Sequence, residues 1–272
     1  MPKSSRGGKV GATTTYTIRQ PRYHPVTNPR PTPQPAPQPV QQQTPPPIQQ
    51  NQPSIGYDAF RKMTDDQKAD AIMQARNTQV PLFLAQNDLQ KIMYGIKMYD
   101  KPQLVDDKVL DTTPGKELFR TVNATSDNAN RIKYSATDVA LQNIRGSVAR
   151  VSDTGGSVHG RGFYYADSYR GSVAYGNRSG NVAQTAVIRV KLSPSARTIS
   201  TSAASNGVAR EINSGTKLGK ALAKIGSQDR TAVYSLAKGY DAMVAGNGYH
   251  VIINRGALIA SKDIKPAGSS WK

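Results

Sequence analysis

A chain of 272 residues with 36 Lys/Arg against 18 Asp/Glu carries a formal net charge of +18 and has room for one or two domains of ordinary size. That balance favours polyanions as partners, whether nucleic acid, an acidic protein surface or cofactor phosphates. Cysteine is absent and the three histidines, His24, His159 and His250, show no metal-ligand spacing, so disulfides, a cysteine nucleophile and a structural metal are all excluded.

The first 57 residues contain six Lys/Arg and no Asp or Glu. The terminus MPKSSRGGKV is charged but has no apolar run behind it, so no secretory leader is expected. No apolar run anywhere approaches the roughly 18 residues that a membrane helix needs. The reading is a product made in the cytoplasm. Residues 21–53 hold 12 of the 18 prolines, together with many glutamines. Alternating X-Pro steps keep the backbone extended and remove hydrogen-bond donors. Such a segment buries too little apolar surface to offset the entropy of ordering. Residues 1–56 therefore read as an extended basic arm, a spacer or a strap that orders on a partner. The arm lacks the interleaved aromatics of a single-strand nucleic-acid platform.

Residues 57–111 read as a small helical subdomain. Thr64 and Gln67 form a capping-box pattern ahead of Ala69, Ile72 and Met73. Asn87 or Asp88 starts a second helix with Leu89, Ile92, Met93 and Ile96 at helical spacing. Pro81 separates the two and Pro102 ends the second. The pattern predicts an antiparallel helix pair leaning on a larger domain.

Residues 112–272 read as mixed structure. Glu117 to Val122 is a strand, and Ser135 to Ile144 a helix with a Ser135/Asp138 capping box and a stop at Gly146. Gly155 to Gly162 reads as a loop, followed by Phe163–Ala166 and a polar helix start. Thr185 to Leu192 alternates, with Ile188, Val190 and Leu192 on one side. Leu218, Leu222 and Ile225 mark a helix ended by Gly226, with Glu211 in a polar loop before it. Two closing strands, YDAMVA and YHVIIN, are joined by the tight turn Gly246-Asn247-Gly248. Helices come early and strands late without a βαβ rhythm, which predicts an α+β class.

The most informative stretch is GRGFYYADSYRGSVAYG, residues 160–176. Glycines at 160 and 162 let backbone approach a flat ligand, and Tyr164 and Tyr175 could clasp a planar ring by offset stacking. The run Gly160, Gly162, Phe163, Tyr164, Tyr165, Ala166, Asp167, with a second tyrosine eight residues on at Tyr175, resembles the nicotinamide-binding segment of ADP-ribosyltransferases, most closely the poly(ADP-ribose) polymerase branch. ELFRTVN resembles the first core strand of that family, and GYDAMVAGNGYHVIINRGAL its closing strand pair, so the resemblance runs from Leu118 to Ile259. It implies split antiparallel sheets and NAD as cofactor. It also implies that Arg120 anchors NAD through its guanidinium fork, with Gly162, Tyr164 and Tyr175 around the nicotinamide.

The family's third element is a glutamate that stabilises the developing positive charge on ribose, as in glycoside cleavage. The matching place reads Gly246-Asn247-Gly248-Tyr249-His250 and holds no acid. The whole chain has two glutamates, Glu117 and Glu211, so the acid would have to be borrowed from Glu211 or Asp241. Arg150 and Arg161, near the tyrosine motif, are read as solvent-facing. The layout of arm plus domain resembles bacteriophage virion or head-associated proteins. That resemblance implies a structural, capsid-associated role in which the arm binds other virion proteins and catalysis is weak or lost. The competing reading is an active mono-ADP-ribosyltransferase that modifies a host protein or nucleic acid. A bare nucleic-acid-binding module is the third reading, with charge but no recognised motif behind it.

Overall fold

A computed structural model describes residues 55–126, 132–151, 159–176 and 184–268. Nearly all of the arm, and residues 155–158 of the expected glycine loop, lie outside the described residues. Residues 51–272 make one compact unit. The expected division at residue 111 is not seen within it. Phe60, Ile72, Leu89 and Ile92 from the helical stretch share one buried core with Leu118, Ile188, Val190, Leu222 and Val251.

The N-terminal helices form where the caps predict. After a short helix α1 (Tyr57–Lys62), Thr64 caps α2 (Asp65–Arg76) and its hydroxyl accepts from the Gln67 N–H, while the Gln67 amide oxygen accepts from the Thr64 N–H. Asn87 caps α3 (Asp88–Gly95). Beyond Pro102 the chain makes a strand, β1 (Gln103–Val105), and a short helix, α4 (Asp107–Thr112), neither of which the periodicity announced.

The sheet is built from β2 (Glu117–Asn123), β5 (Phe163–Ala166), β6 (Thr185–Leu192), β7 (Thr198–Ser200), β8 (Ala242–Val244), β9 (Tyr249–Ile252), β10 (Leu258–Ser261) and β11 (Lys265–Pro266), together with β1. Its order is β1-β10-β6-β2-β5-β9-β8-β7, with β11 beside β6. A separate hairpin pairs β3 (Thr125–Ser126) with β4 (Ile132–Tyr134). The class is α+β as expected, but the sheet is mixed rather than antiparallel throughout. β1 runs parallel to β10, and β7 parallel to β8.

The sheet has a narrow waist. β2 pairs with β6 along seven residues, Glu117↔Lys191 to Asn123↔Thr185. On its other side β2 meets β5 at a single residue pair, Phe119↔Ala166. Two half-sheets therefore join almost at a point.

Helix α5 (Ala136–Arg145), capped by Ser135 and Asp138, packs Ala140 and Ile144 into the same core as Leu118 and Val122 of β2. Helix α6 (Tyr169–Gly176) covers the opposite face, where Tyr169 and Val173 pack on Phe119 and Val187. The region expected to be a polar loop around Glu211 is a 13-residue helix, α7 (Thr201–Asn213). It is followed by α8 (Lys217–Ala223) and α9 (Arg230–Ala237), so helices are not confined to the early chain.

Candidate functional site

Strand alternation decides which of the motif residues meet. On β2, Phe119 and Thr121 point towards α6. The Phe119 and Tyr169 rings lie 6.1 Å apart, edge to face, and the Thr121 hydroxyl lies 2.9 Å from that of Ser172. Arg120, between them, must point to the other face. Its guanidinium lies 5.8 Å from the ring centres of both Phe163 and Tyr165.

On β5, Tyr164 alternates with Phe163 and Tyr165 and so shares the α6 face. Tyr164 pairs with Val251 and Ala166 with Tyr249 across to β9, which places Tyr249 on that face too. The Tyr175 ring at the end of α6 packs against Tyr249, with centres 5.8 Å apart and planes inclined at 59°. Burial, reinforced by the nearby Tyr175, pushes the Tyr164 hydroxyl up to about 12, so it remains a donor across the physiological range. That hydroxyl donates to the Gly160 carbonyl at 2.5 Å and accepts from the His159 N–H at 3.2 Å.

One face thus collects Tyr164, Tyr175, Tyr249 and the Thr121–Ser172 hydroxyl pair. Gly176 explains how close α6 comes to the strand, since a Cβ there would stand 2.5 Å from the Thr121 methyl carbon. Tyr249 escaped the sequence reading, though the alternation of YHVI against FYYA carried the signal.

Arg120 does not join the tyrosines. It belongs with Tyr165 and Arg255, whose guanidinium also sits over Phe163 at 5.5 Å. Arg255 is itself held against the end of α5, donating to the Asn143 and Gly146 carbonyls. The role expected of Arg120, a cation beside Tyr164 and Tyr175, is therefore corrected by one residue of strand register.

Neither borrowed acid is available. Glu211 lies on α7, where its carboxylate accepts from Lys238 Nζ at 2.8 Å and from the Thr216 hydroxyl at 2.6 Å. Burial pushes its pKa up, but these two hydrogen bonds outweigh burial and hold it below its ordinary value. Asp241 is 3% exposed, and its oxygens accept from Asn254 Nδ2 and the Arg197 N–H, both at 2.8 Å. It pins a strand start to a turn.

At the turn where the resemblance calls for an acid, the nearest carboxylate is that of Asp167. It lies within 3.0 Å of where a Gly248 Cβ would stand and pairs with Lys116 at 2.7 Å. His250 in the same turn has its Nδ1 buried without a hydrogen-bond partner, and burial followed by the Lys116 charge lowers its pKa. By register it sits opposite Tyr165, on the face away from the tyrosine cluster.

Arg161 is not solvent-facing as expected. It pairs with Asp229 at 2.9 Å and donates to Gln228 at 2.8 Å. Gly162 makes the strand entry possible, because any Cβ there would meet Val251 at 2.4 Å.

NAD fits this arrangement in part. Three tyrosines on one face suit a planar ring, whereas neither the guanidinium nor the carboxylate expected beside it faces that ring. Among the described residues no group of three or more His, Asp or Glu is placed to hold a metal ion, and no helix is long and apolar enough to cross a membrane. No family model, curated protein or solved structure matches this chain.

Proposed function

We propose that this protein is a phage virion- or head-associated protein whose ADP-ribosyltransferase-like domain binds NAD through its nicotinamide ring, with transfer activity weak or lost. The observation that carries the binding half is the shared face of Tyr164, Tyr175 and Tyr249, with the Thr121–Ser172 hydroxyls 2.9 Å apart beneath α6. Each aromatic pairing contributes about 0.5–1.5 kcal/mol beyond area burial.

The catalytic half is argued from what the acids are doing. Separating nicotinamide from ribose builds positive charge that a nearby carboxylate must offset. Removing such a group costs several kcal/mol, about a thousandfold in rate. Glu211 and Asp241 are both committed to structural hydrogen bonds.

Calorimetric titration of the purified chain with nicotinamide and with NAD tests the reading. Binding of both is expected, weakened at least tenfold by Tyr175→Ala, with release of labelled nicotinamide from NAD at background. If neither compound binds the unaltered protein, the proposal fails. Turnover abolished by Tyr175→Ala would instead identify an active mono-ADP-ribosyltransferase. The anchoring role rests on the arm's composition: six Lys/Arg and no acid in the first 57 residues, with 12 prolines in residues 21–53. A chain lacking residues 1–56 is expected to fold and yet fail to associate with its particle. Normal incorporation would refute the anchor.

A further inference from the structure

Next to the tyrosine face lies an open cleft of about 390 Å³, within the size range of small-molecule sites. Its walls come from the first turns of α7 (Thr201, Ser202, Ser205), the start of α9 (Thr231) with Ser227 and Gln228 before it, and His159 and Gly160 at the entry to β5. We infer that this cleft binds a neutral sugar ring, a ligand chemistry distinct from the planar ring assigned to the tyrosines.

The lining argues for that class by what it offers and by what it lacks. Among the described residues no Asp, Glu, Lys or Arg lines the cleft and His159 is its single titratable side chain, so a charged ligand would find little counter-charge there. An apolar ligand would strip water from five hydroxyls and return nothing. Ser and Thr hydroxyls both donate and accept, and so do those of a sugar. Gln228 has a fixed orientation: its Oε1 accepts from Arg161 Nη2 at 2.8 Å, and Arg161 is itself held by Asp229 at 2.9 Å. Its amide N–H groups are thereby left as donors.

Gly160 keeps the floor open. It has φ +93°, and a Cβ there would stand 2.2 Å from Thr231 Oγ1. The Gly160 carbonyl accepts from the Tyr164 hydroxyl, so the tyrosine whose ring serves the aromatic face is bonded to the cleft wall. Two sources share this chemistry, a free saccharide and the ribose of a nucleoside, and only the second would use both places at once. The nucleoside source rests on the planar-ring reading above, whereas sugar binding does not.

Saturation-transfer NMR with D-ribose, and with nicotinamide riboside, tests the inference. D-Ribose is expected to give signal with the unaltered protein. Ser205→Leu should weaken that signal at least fivefold, and Thr231→Val about threefold. Ser205 is exposed on α7, so the leucine fills the cleft without entering the core. Riboside binding at least tenfold tighter than ribose, with the advantage removed by Tyr175→Ala, would identify the nucleoside as the source. Equal binding of the two would identify a free saccharide. No ribose signal with the unaltered protein, or a signal that Ser205→Leu leaves unchanged, would overturn the inference. Failure of both nicotinamide and NAD to bind would defeat the proposed function and leave the sugar cleft standing.

Discussion

Arg120 shows how much one position of register changes a chemical reading. Its neighbours Phe119 and Thr121 are fixed on the α6 side by Tyr169 and Ser172, so the guanidinium faces the rings of Phe163 and Tyr165 instead. The spacing of the tyrosine motif was legible because Tyr175 lies in α6, which follows β5 after a two-residue link. The face of Arg120 was legible only in principle, from a period-two count on β2 set against Val173 and Tyr169 on α6.

Asp229 belongs to the same scale. It is 4% exposed, pairs with Arg161 and accepts from the Asp88 N–H at 3.1 Å. Removing one partner of a buried pair leaves the other charge uncompensated, so Asp229→Ala is expected to cost about 3 kcal/mol, read as a shift in urea midpoint. A loss below about 1 kcal/mol would show that water reaches Arg161 freely.

Lys238 donates to both Asp65 and Glu211. Burial pulls its pKa down, but those hydrogen bonds win and raise it, while Glu211 is held below its ordinary 4.5. The lysine contribution is complete below its unfolded value of 10.5 and is lost as the pH climbs past the raised one. The glutamate contribution is complete above 4.5 and is lost as the pH falls through the depressed value. Lys238→Met should therefore cost about 1 kcal/mol at pH 7, after allowance for solvent screening. That difference should shrink towards zero as the pH falls through the depressed value of Glu211. A penalty that persists in acid would mean packing of the lysine stem, not charge.

Among the elements, α7 is the instructive miss. Its sequence, TSAASNGVAREIN, carries few large apolar residues, and its signal is smallness rather than hydrophobic period. Gly207 packs under the Tyr234 ring of α9, where a Cβ would lie 2.3 Å from the ring. Propensity alone says Gly207→Ala should stabilise an exposed helix by about 1 kcal/mol. Here the opposite is expected, a loss of about 2 kcal/mol by overpacking, measurable by thermal melting. A rise in Tm would show that the two helices part without cost.

The capped helices α2 and α5 were readable because their side-chain signals are local. β1, β7 and β11 have two or three residues each and owe their existence to neighbours in the sheet, so nothing local marked them. β6 was readable as a strand, but all of its residues except Leu192 are buried, so its alternation reports burial on both faces rather than one.

For the whole molecule, the shared core explains why residues 57–111 do not stand apart: Tyr57 and Phe60 are buried beside sheet residues. The waist at Phe119↔Ala166 sets the expected pattern of amide exchange. N–H groups of β2 directed at β6 lie in a seven-residue ladder and should exchange at least tenfold more slowly than those directed at β5. Equal protection on both edges would mean that the halves are stitched more fully than one pair implies.

That waist also makes the molecule easy to pry. Prising the half-sheets apart next to Phe119 sacrifices one or two backbone bonds, on the order of 1 kcal/mol each. The same gape between β2 and β6 would tear a whole ladder. A wedge-shaped molecule arriving there would work against side-chain packing, chiefly the core that Leu118 and Val122 share with Phe163 and Val251.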